Sequence, residues 1–394
     1  MNKLCVVSII ALSVFFVACQ KSTPIEEDDP FGKYAKYPYS TLSPEQQKAK
    51  LVEESDAILH TMSSLPNEEG IQLIKMFMKL VDISNPDPKL VIDLNKTQFN
   101  VSDCNGEYSW NTTKKNWTFN NHKESIVFNF PSTVNGTTNN AKLELSGVGS
   151  GNLEEIEDIK IELPQKLKMV LSKGSTTVAS IEINATEPNL NDFAKAANLN
   201  MTLGSYVITA GANKDGKSKI NSTFKFAKEN DIILNAILSS TINIYETLDV
   251  TFDYQSIELY IGSTLAIVGY VDVIKNQKEF DAINNKYYKK YGSPSTWTDD
   301  IREAKLKEEV AVWNKNAKLY LISTQEKYKI ADMKMSYSVK KDCSDYEGTK
   351  YCQTEISTDL LLIFNDETEV SAAVFFSDVF NEVFEAWINF LKQF

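Results

Sequence analysis

Arginine is nearly missing from this chain of 394 residues. Of its 41 basic residues one, Arg302, is an arginine. Arginine gives the bidentate grip on phosphate and carboxylate, so a dedicated phosphate clamp is not expected. The formal charge is −12, and an acidic chain has no general attraction to nucleic acid or to an anionic membrane surface. Histidine is almost as scarce, with His60 and His122 alone. Neither stands at metal-ligand spacing from a cysteine, which leaves zinc without a site. Neither has a motif that would build a serine–histidine–acid triad. A pair of carboxylates for glycoside hydrolysis stays open, but acidic residues abound here and abundance is not a signal. The expectation is a non-catalytic protein with no metal, cofactor, nucleotide or nucleic-acid partner.

Cysteine is sparse too, with five in all, and one of them is informative. Asn2 and Lys3 make a short basic start, and Leu4–Val17 is an apolar stretch of about 14 residues. A bilayer span takes roughly 20, whereas this length suits a signal-peptide core. Val17-Ala18-Cys19 follows, then polar sequence. The small residue before a cysteine resembles a bacterial lipobox, although Phe16 stands where leucine is usual. On that resemblance residues 1–18 are a signal peptide and Cys19 becomes a lipidated N-terminus that anchors the protein to a membrane. More than one acyl chain is needed for stable attachment. Residues 19–42 read as a flexible acidic tether, because Pro24, Pro30 and Pro38 disfavour helix and Glu26 to Asp29 form a charged run.

Cys343 and Cys352 flank a turn-like stretch containing Asp345 and Gly348. They are expected to face each other near a hairpin end and to form a disulfide, which an exported setting permits. Cys104 is left over and reads as a buried thiol.

Proline and glycine number 11 and 15, and they punctuate the chain as local breakers and turns. Ser43-Pro44-Glu45-Gln46 is a helix start with a capping box, and that helix runs to about Ser64. Pro66-Asn67 breaks it, and a second helix runs from about Glu68 to Val81; the two read as a helical hairpin. From about residue 90 the period becomes 2. Ile159, Ile161 and Leu163 alternate with charged residues, as do Leu199, Met201 and Leu203 with polar ones. Turn signals fall between such runs at Lys173-Gly174, Asp215-Gly216 and Asn230-Asp231. This is the pattern of an antiparallel sheet with one wet face. Residues 276–315 return to helix, and a last helix capped by Ser377 carries Phe380, Val383, Phe384, Trp387 and Leu391 along one side. The expected fold is α+β: an N-terminal helical hairpin and a C-terminal helix packed on a large antiparallel sheet, with a helical insertion near 276–315. One domain over 43–394 is favoured over a split near 245.

Residues 211–218, Gly-Ala-Asn-Lys-Asp-Gly-Lys-Ser, fit the phosphate-loop pattern. A phosphate loop must open a helix, and Lys219 to Lys228 has a strand pattern, so a hairpin turn is expected. Gly147 to Gly151 reads as a loop between strands. The sequons at Asn95, Asn111, Asn116, Asn135, Asn184, Asn200 and Asn221 read as polar surface. Tyr108, Trp110 and Trp117 lie among Asn and Thr residues and could form an aromatic platform that stacks on a sugar; core packing is the competing reading.

The acidic run after Cys19 and the segment from Gly106 through Trp110, Trp117 and Ile126 to Pro131 resemble outer-membrane and surface lipoproteins of gut Bacteroidetes. The resemblance implies an exported lipoprotein and supplies no catalytic residues. The function expected is therefore that of a lipid-anchored envelope protein that binds a ligand or partner at the cell surface, with glycan foremost. The alternative is a periplasm-facing carrier of an apolar or lipid ligand, held in a cavity between sheet and helices. Replacing Cys19 by serine should abolish incorporation of labelled fatty acid and move the protein from the membrane to the soluble fraction.

Overall fold

The period-2 stretches build one mixed sheet of 17 strands. The computed structural model describes residues 31–83, 98–99, 105–120, 124–156, 159–186, 196–215, 219–244, 250–346 and 349–391. The helices are α1 Gly32–Ala35, α2 Pro44–Met62, α3 Glu69–Ile83, α4 Val273–Tyr291, α5 Asp299–Asn316 and α6 Ala372–Leu391. The first strands are β1 Gln98–Phe99, β2 Gly106–Asn111, β3 Asn116–Asn120 and β4 Ile126–Phe130. Long strands follow: β5 Ala141–Ile156, β6 Ile159–Lys173, β7 Thr176–Thr186, β8 Ala196–Leu203, β9 Tyr206–Asp215, β10 Lys219–Lys228 and β11 Asp231–Ile244. The set closes with β12 Val250–Ile261, β13 Leu265–Asp272, β14 Ala317–Ser323, β15 Tyr328–Tyr346, β16 Thr349–Ile363 and β17 Glu369–Ser371. The class is α+β, as the sequence implies.

From β4 to β17 each strand pairs antiparallel with the next. Beyond β4 lies β2, parallel to it, with β3 as a hairpin partner. β1 runs parallel to residues 160–161 of β6, past the end of β7. A meander this long cannot stay flat, because sheets beyond about ten strands curl or split.

The two faces differ as the alternation requires. One carries Asn198, Asn200, Thr202, Glu182 and Lys225, and the other carries Met201, Ile181, Ile208 and Phe226. The apolar face is covered by α2, α3 and α6, whose Leu51, Ile58, Leu73, Met76, Phe375 and Phe380 share one buried cluster with it.

Helices α2 and α3 lie along one row of hairpin turns. Lys50 pairs with Glu326 in the β14–β15 turn. The Glu54 carboxylate accepts from the Ser263 amide at 2.9 Å in the β12–β13 turn. Tyr206, fully buried at the start of β9, donates to the Thr61 carbonyl, and its hydroxyl lies 2.9 Å from Ser64 Oγ. Lys228, in the β10–β11 turn, donates to Ser64 at 2.8 Å. Ser205 donates to Glu68 at 2.7 Å, and Lys173 pairs with Glu69. Gly204 and Gly262 have φ of 59° and 61°, and a Cβ on either would collide with the carboxylate of Glu68 or Glu54. Only glycine serves both needs there.

The Ser43 capping box forms as expected, with Gln46 N to Ser43 Oγ at 3.3 Å and Ser43 N to Gln46 Oε1 at 2.9 Å. The helices it begins do not serve chiefly as each other's partners. A one-turn 3-10 helix, Leu65–Asn67, joins them. Then α2 packs on α6 and α3 on β6 to β8, because the apolar sheet offers α3 more surface than α2 does. The C-terminal helix also begins earlier than its expected cap at Ser377. It starts at Ala372, and Ser371 Oγ accepts from Val374 N at 3.4 Å. The run Ala372 to Phe376 is apolar enough to need burial, which extends the helix backwards.

Residues 31–42 are not the free tether the prolines suggest. Phe31 and Tyr34 are buried against Ala266, Val268 and Ile322 on the polar side of the sheet, in a small second core. Tyr39 and Lys329 form a parallel bridge. The Lys329 ammonium lies 4.0 Å from the Tyr39 ring centre, 5.4 Å from that of Tyr320 and 3.3 Å from Asp332. Burial, and then the hydrogen bond to Asp332, push the Tyr39 phenol well above its ordinary value. Aromatic residues in the segment outweigh its prolines: burial of Phe31 and Tyr34, with Tyr37 partly covered, offsets the freedom a short chain loses.

Tyr206→Phe keeps the ring and deletes the hydroxyl that holds α2 to the turns. It should lower the unfolding free energy by about 1–3 kcal/mol, measured by urea denaturation.

Candidate functional site

The aromatic residues offered as a sugar platform are core residues. Tyr108 and Trp110 project from β2 with 0% and 6% exposure. Trp117, half-buried on β3, sits directly opposite Trp110, ring centres 5.3 Å apart at 72°. Phe77 of α3 closes on Trp117 at 6.0 Å and on Phe128 at 5.0 Å. The Trp117 indole nitrogen is buried with no hydrogen-bond partner. A pyranose needs an exposed ring face, and Tyr108 and Trp110 present none. Alternation along β2 points them at α3, and aromatic surface of that size is worth more in a core than in water.

The other candidates fall as follows. Cys19, Cys104 and His122 lie outside the described residues. Positions 343 and 352 face each other in the register of β15 and β16. Residues 211–215 end β9 and Lys219 begins β10, with Asp215 opposite Lys219. A strand follows where a phosphate loop needs a helix N-terminus. Gly147 to Gly151 is not a loop. It lies inside β5 where the register to β6 shifts, an irregularity that glycines permit. Among the described residues no group of three His, Cys, Asp or Glu side chains could hold a metal ion.

What the sequence did not single out is a surface. On the apolar face, Ile181, Met201, Ile208, Phe226, Leu234 and Ile261 form a row across six strands, the row nearest the helices. Ile181 and Phe226 in it are buried. The next row is Ile183, Leu199, Ala210, Phe224, Ala236 and Leu259. The third is Ala185, Ala197, Ala212, Ser222, Leu238 and Ile257. No side chain in the second or third row is buried, and Leu238 is 43% exposed. Cover thus fades with distance from α2 and α3 while the residues stay apolar. Four small residues in line, Ala185, Ala197, Ala212 and Ser222, form a trough about 14 Å long at the usual strand spacing. No charged residue stands in either row. Apart from Leu238 these side chains are half-buried, and a partly covered apolar surface without charge is suited to an apolar ligand.

A second depression lies between α2 and α6. Its apolar part, about 390 Å³, is lined by Leu59, Met62, Leu65, Pro66, Ala386 and Phe390, with His60 at its side. It meets at Leu59 a polar part of about 370 Å³ that includes Ser55, Asp56, Asn381 and Glu382. Both volumes fall within the range of small-molecule sites.

No family model, curated protein sequence or solved structure matches this chain.

Trp110→Ala should destabilise the fold by about 3–5 kcal/mol, as for other buried aromatic truncations. A residue serving only as a sugar platform would leave the denaturation midpoint unchanged.

Proposed function

We propose that the protein is a non-catalytic, lipid-anchored component of the cell envelope that holds the apolar chain of a lipid on the uncovered part of its sheet. The observation that carries this reading is the pair of uncharged, mostly apolar rows that α2 and α3 leave half-covered. The leader ending in Ala18-Cys19 supports the anchor and, with it, a place on the outer membrane where lipid is at hand. Burial of Tyr108 and Trp110 takes away the support for a glycan ligand.

The surface favours a long chain over a short one. A fully buried methylene contributes about 0.8 kcal/mol, and a chain lying on an open face buries roughly half of each. Association costs at least about 4 kcal/mol, so on the order of ten methylenes are needed before binding shows. No hydrogen-bonding group is required of the rows, which fits an acyl chain and not a sugar or a peptide backbone.

Delipidated protein should bind a fluorescent sixteen-carbon fatty acid saturably and a six-carbon one not at all. Ala212→Glu places a carboxylate in the trough and should weaken binding at least tenfold, about 1.4 kcal/mol, with the urea midpoint little changed. Absence of saturable binding, or binding indifferent to Ala212→Glu, would sink the reading. Protease treatment of intact cells decides the side of the membrane: degradation means the surface, survival the periplasmic face.

A further inference from the structure

The hairpin of β15 and β16 outgrows the sheet. β14 pairs with β15 as far as Met333, and β17 pairs with β16 at residues 361–363 only. The next support is a side chain: Asn314 of α5 takes the place of a neighbouring strand at Met335. Its amide nitrogen donates to the Met335 carbonyl at 2.8 Å, and its oxygen accepts from the Met335 amide at 2.8 Å. From Ser336 to Tyr346, and from Thr349 to Asp359, the two strands have only each other as strand partners among the described residues. A two-stranded ribbon is marginal in water, and its edges invite pairing with other chains. The hydroxyls of Ser338 and Ser357 meet across it at 2.9 Å, Val339 is 39% exposed, and the register sets Lys340 opposite Glu355 and Asp345 opposite Lys350, so it has no core of its own and only cross-strand polar pairs, which contribute little at a surface. Near its end the register sets Cys343 opposite Cys352. Directly opposed residues of an antiparallel pair stand about 4.5 or 5.5 Å apart at Cα. Both values lie inside the span of about 4.4–6.8 Å that a disulfide bridges without backbone movement.

We propose that Cys343 and Cys352 are joined by a disulfide that staples this two-stranded arm near its end. The bond forms by thiol–disulfide exchange with a donor disulfide of an oxidoreductase in the exported compartment. One cysteine thiolate attacks the donor and makes a mixed disulfide. The second thiolate displaces the donor's sulfur, so the two electrons pass to the donor, which leaves as a dithiol. The two protons lost by the cysteine thiols end on the two donor thiols, with solvent as the carrier. The partner is one hairpin turn away in the chain, so closure needs no long-range folding and precedes completion of the sheet.

The test uses the full chain exported through its own leader, purified without reductant and alkylated before digestion. Trypsin cuts after Lys350, between the two cysteines. The peptides carrying Cys343 and Cys352 are expected to run as one species, two hydrogens lighter than their sum, and to separate on reduction. Reduced protein, or Cys352→Ser, should be cleaved within 336–359 at least severalfold faster by a dilute protease, while the urea midpoint of the sheet moves little. Recovery of both cysteines alkylated, even after incubation with excess oxidised glutathione, would overturn the proposal. So would either cysteine linked to Cys104. The peptide measurement needs no variant, so a poorly folding mutant does not affect its outcome.

Discussion

A sheet with one apolar face has to cover that face, and this constraint organises the molecule. The face spans a meander of fourteen consecutive strands from β4 to β17. Three helices of 15 to 20 residues are set against it. At 1.5 Å per residue each helix is about 22–30 Å long, whereas fourteen strands at 4.8 Å measure about 62 Å across. Coverage along the turns is achieved by placing α2 and α3 end to end, which is why a 3-10 turn and not a wide loop separates them. Coverage along the strands is not achieved, and the second and third rows are the remainder.

That remainder and the two-stranded arm of β15 and β16 reflect the same shortage in different ways. Where many strands lie side by side, the backbone is paired and only the side chains are short of cover. Where only two strands remain, the backbone itself is short of neighbours, and the proposed disulfide is what would substitute for them. Asn314 marks the border, since its amide group imitates a strand for one residue and no more. The strap at 31–42 lies on the opposite face and fills the second core, so it does not compete for the ligand surface.

Much of this is legible in the sequence where the signal is local. The capping box at Ser43, the hairpin turn after Asp215 and the wet face of the sheet all follow from spacing and alternation. What is not legible depends on register. Alanines 185, 197 and 212 look like filler in three separate strands, and they become a trough only when pairing aligns them. Trp110 and Trp117 look available because Asn and Thr surround them, yet alternation sends the polar neighbours outward and the indoles inward. Residues 31–42 depart from a free tether because prolines limit helix to the single turn of α1 without forbidding contact. The early start of α6 is hidden because Ser377 is a good cap in isolation, while Ser371 lies closer to where burial begins.

The contacts of α2 and α3 with the turns also set an order in time. The helices leave the ribosome early, but their partners are the turns at 173–176, 203–206, 228–231, 261–265 and 323–328. Lys50 of α2 pairs with Glu326, 276 residues further along the chain, so α2 is fully seated only once the β14–β15 turn exists. Until then the meander is built hairpin by hairpin with its apolar face open. Such long sequence separations slow the final closure as well. A truncation before about residue 328 would therefore leave the N-terminal half of α2 without its site.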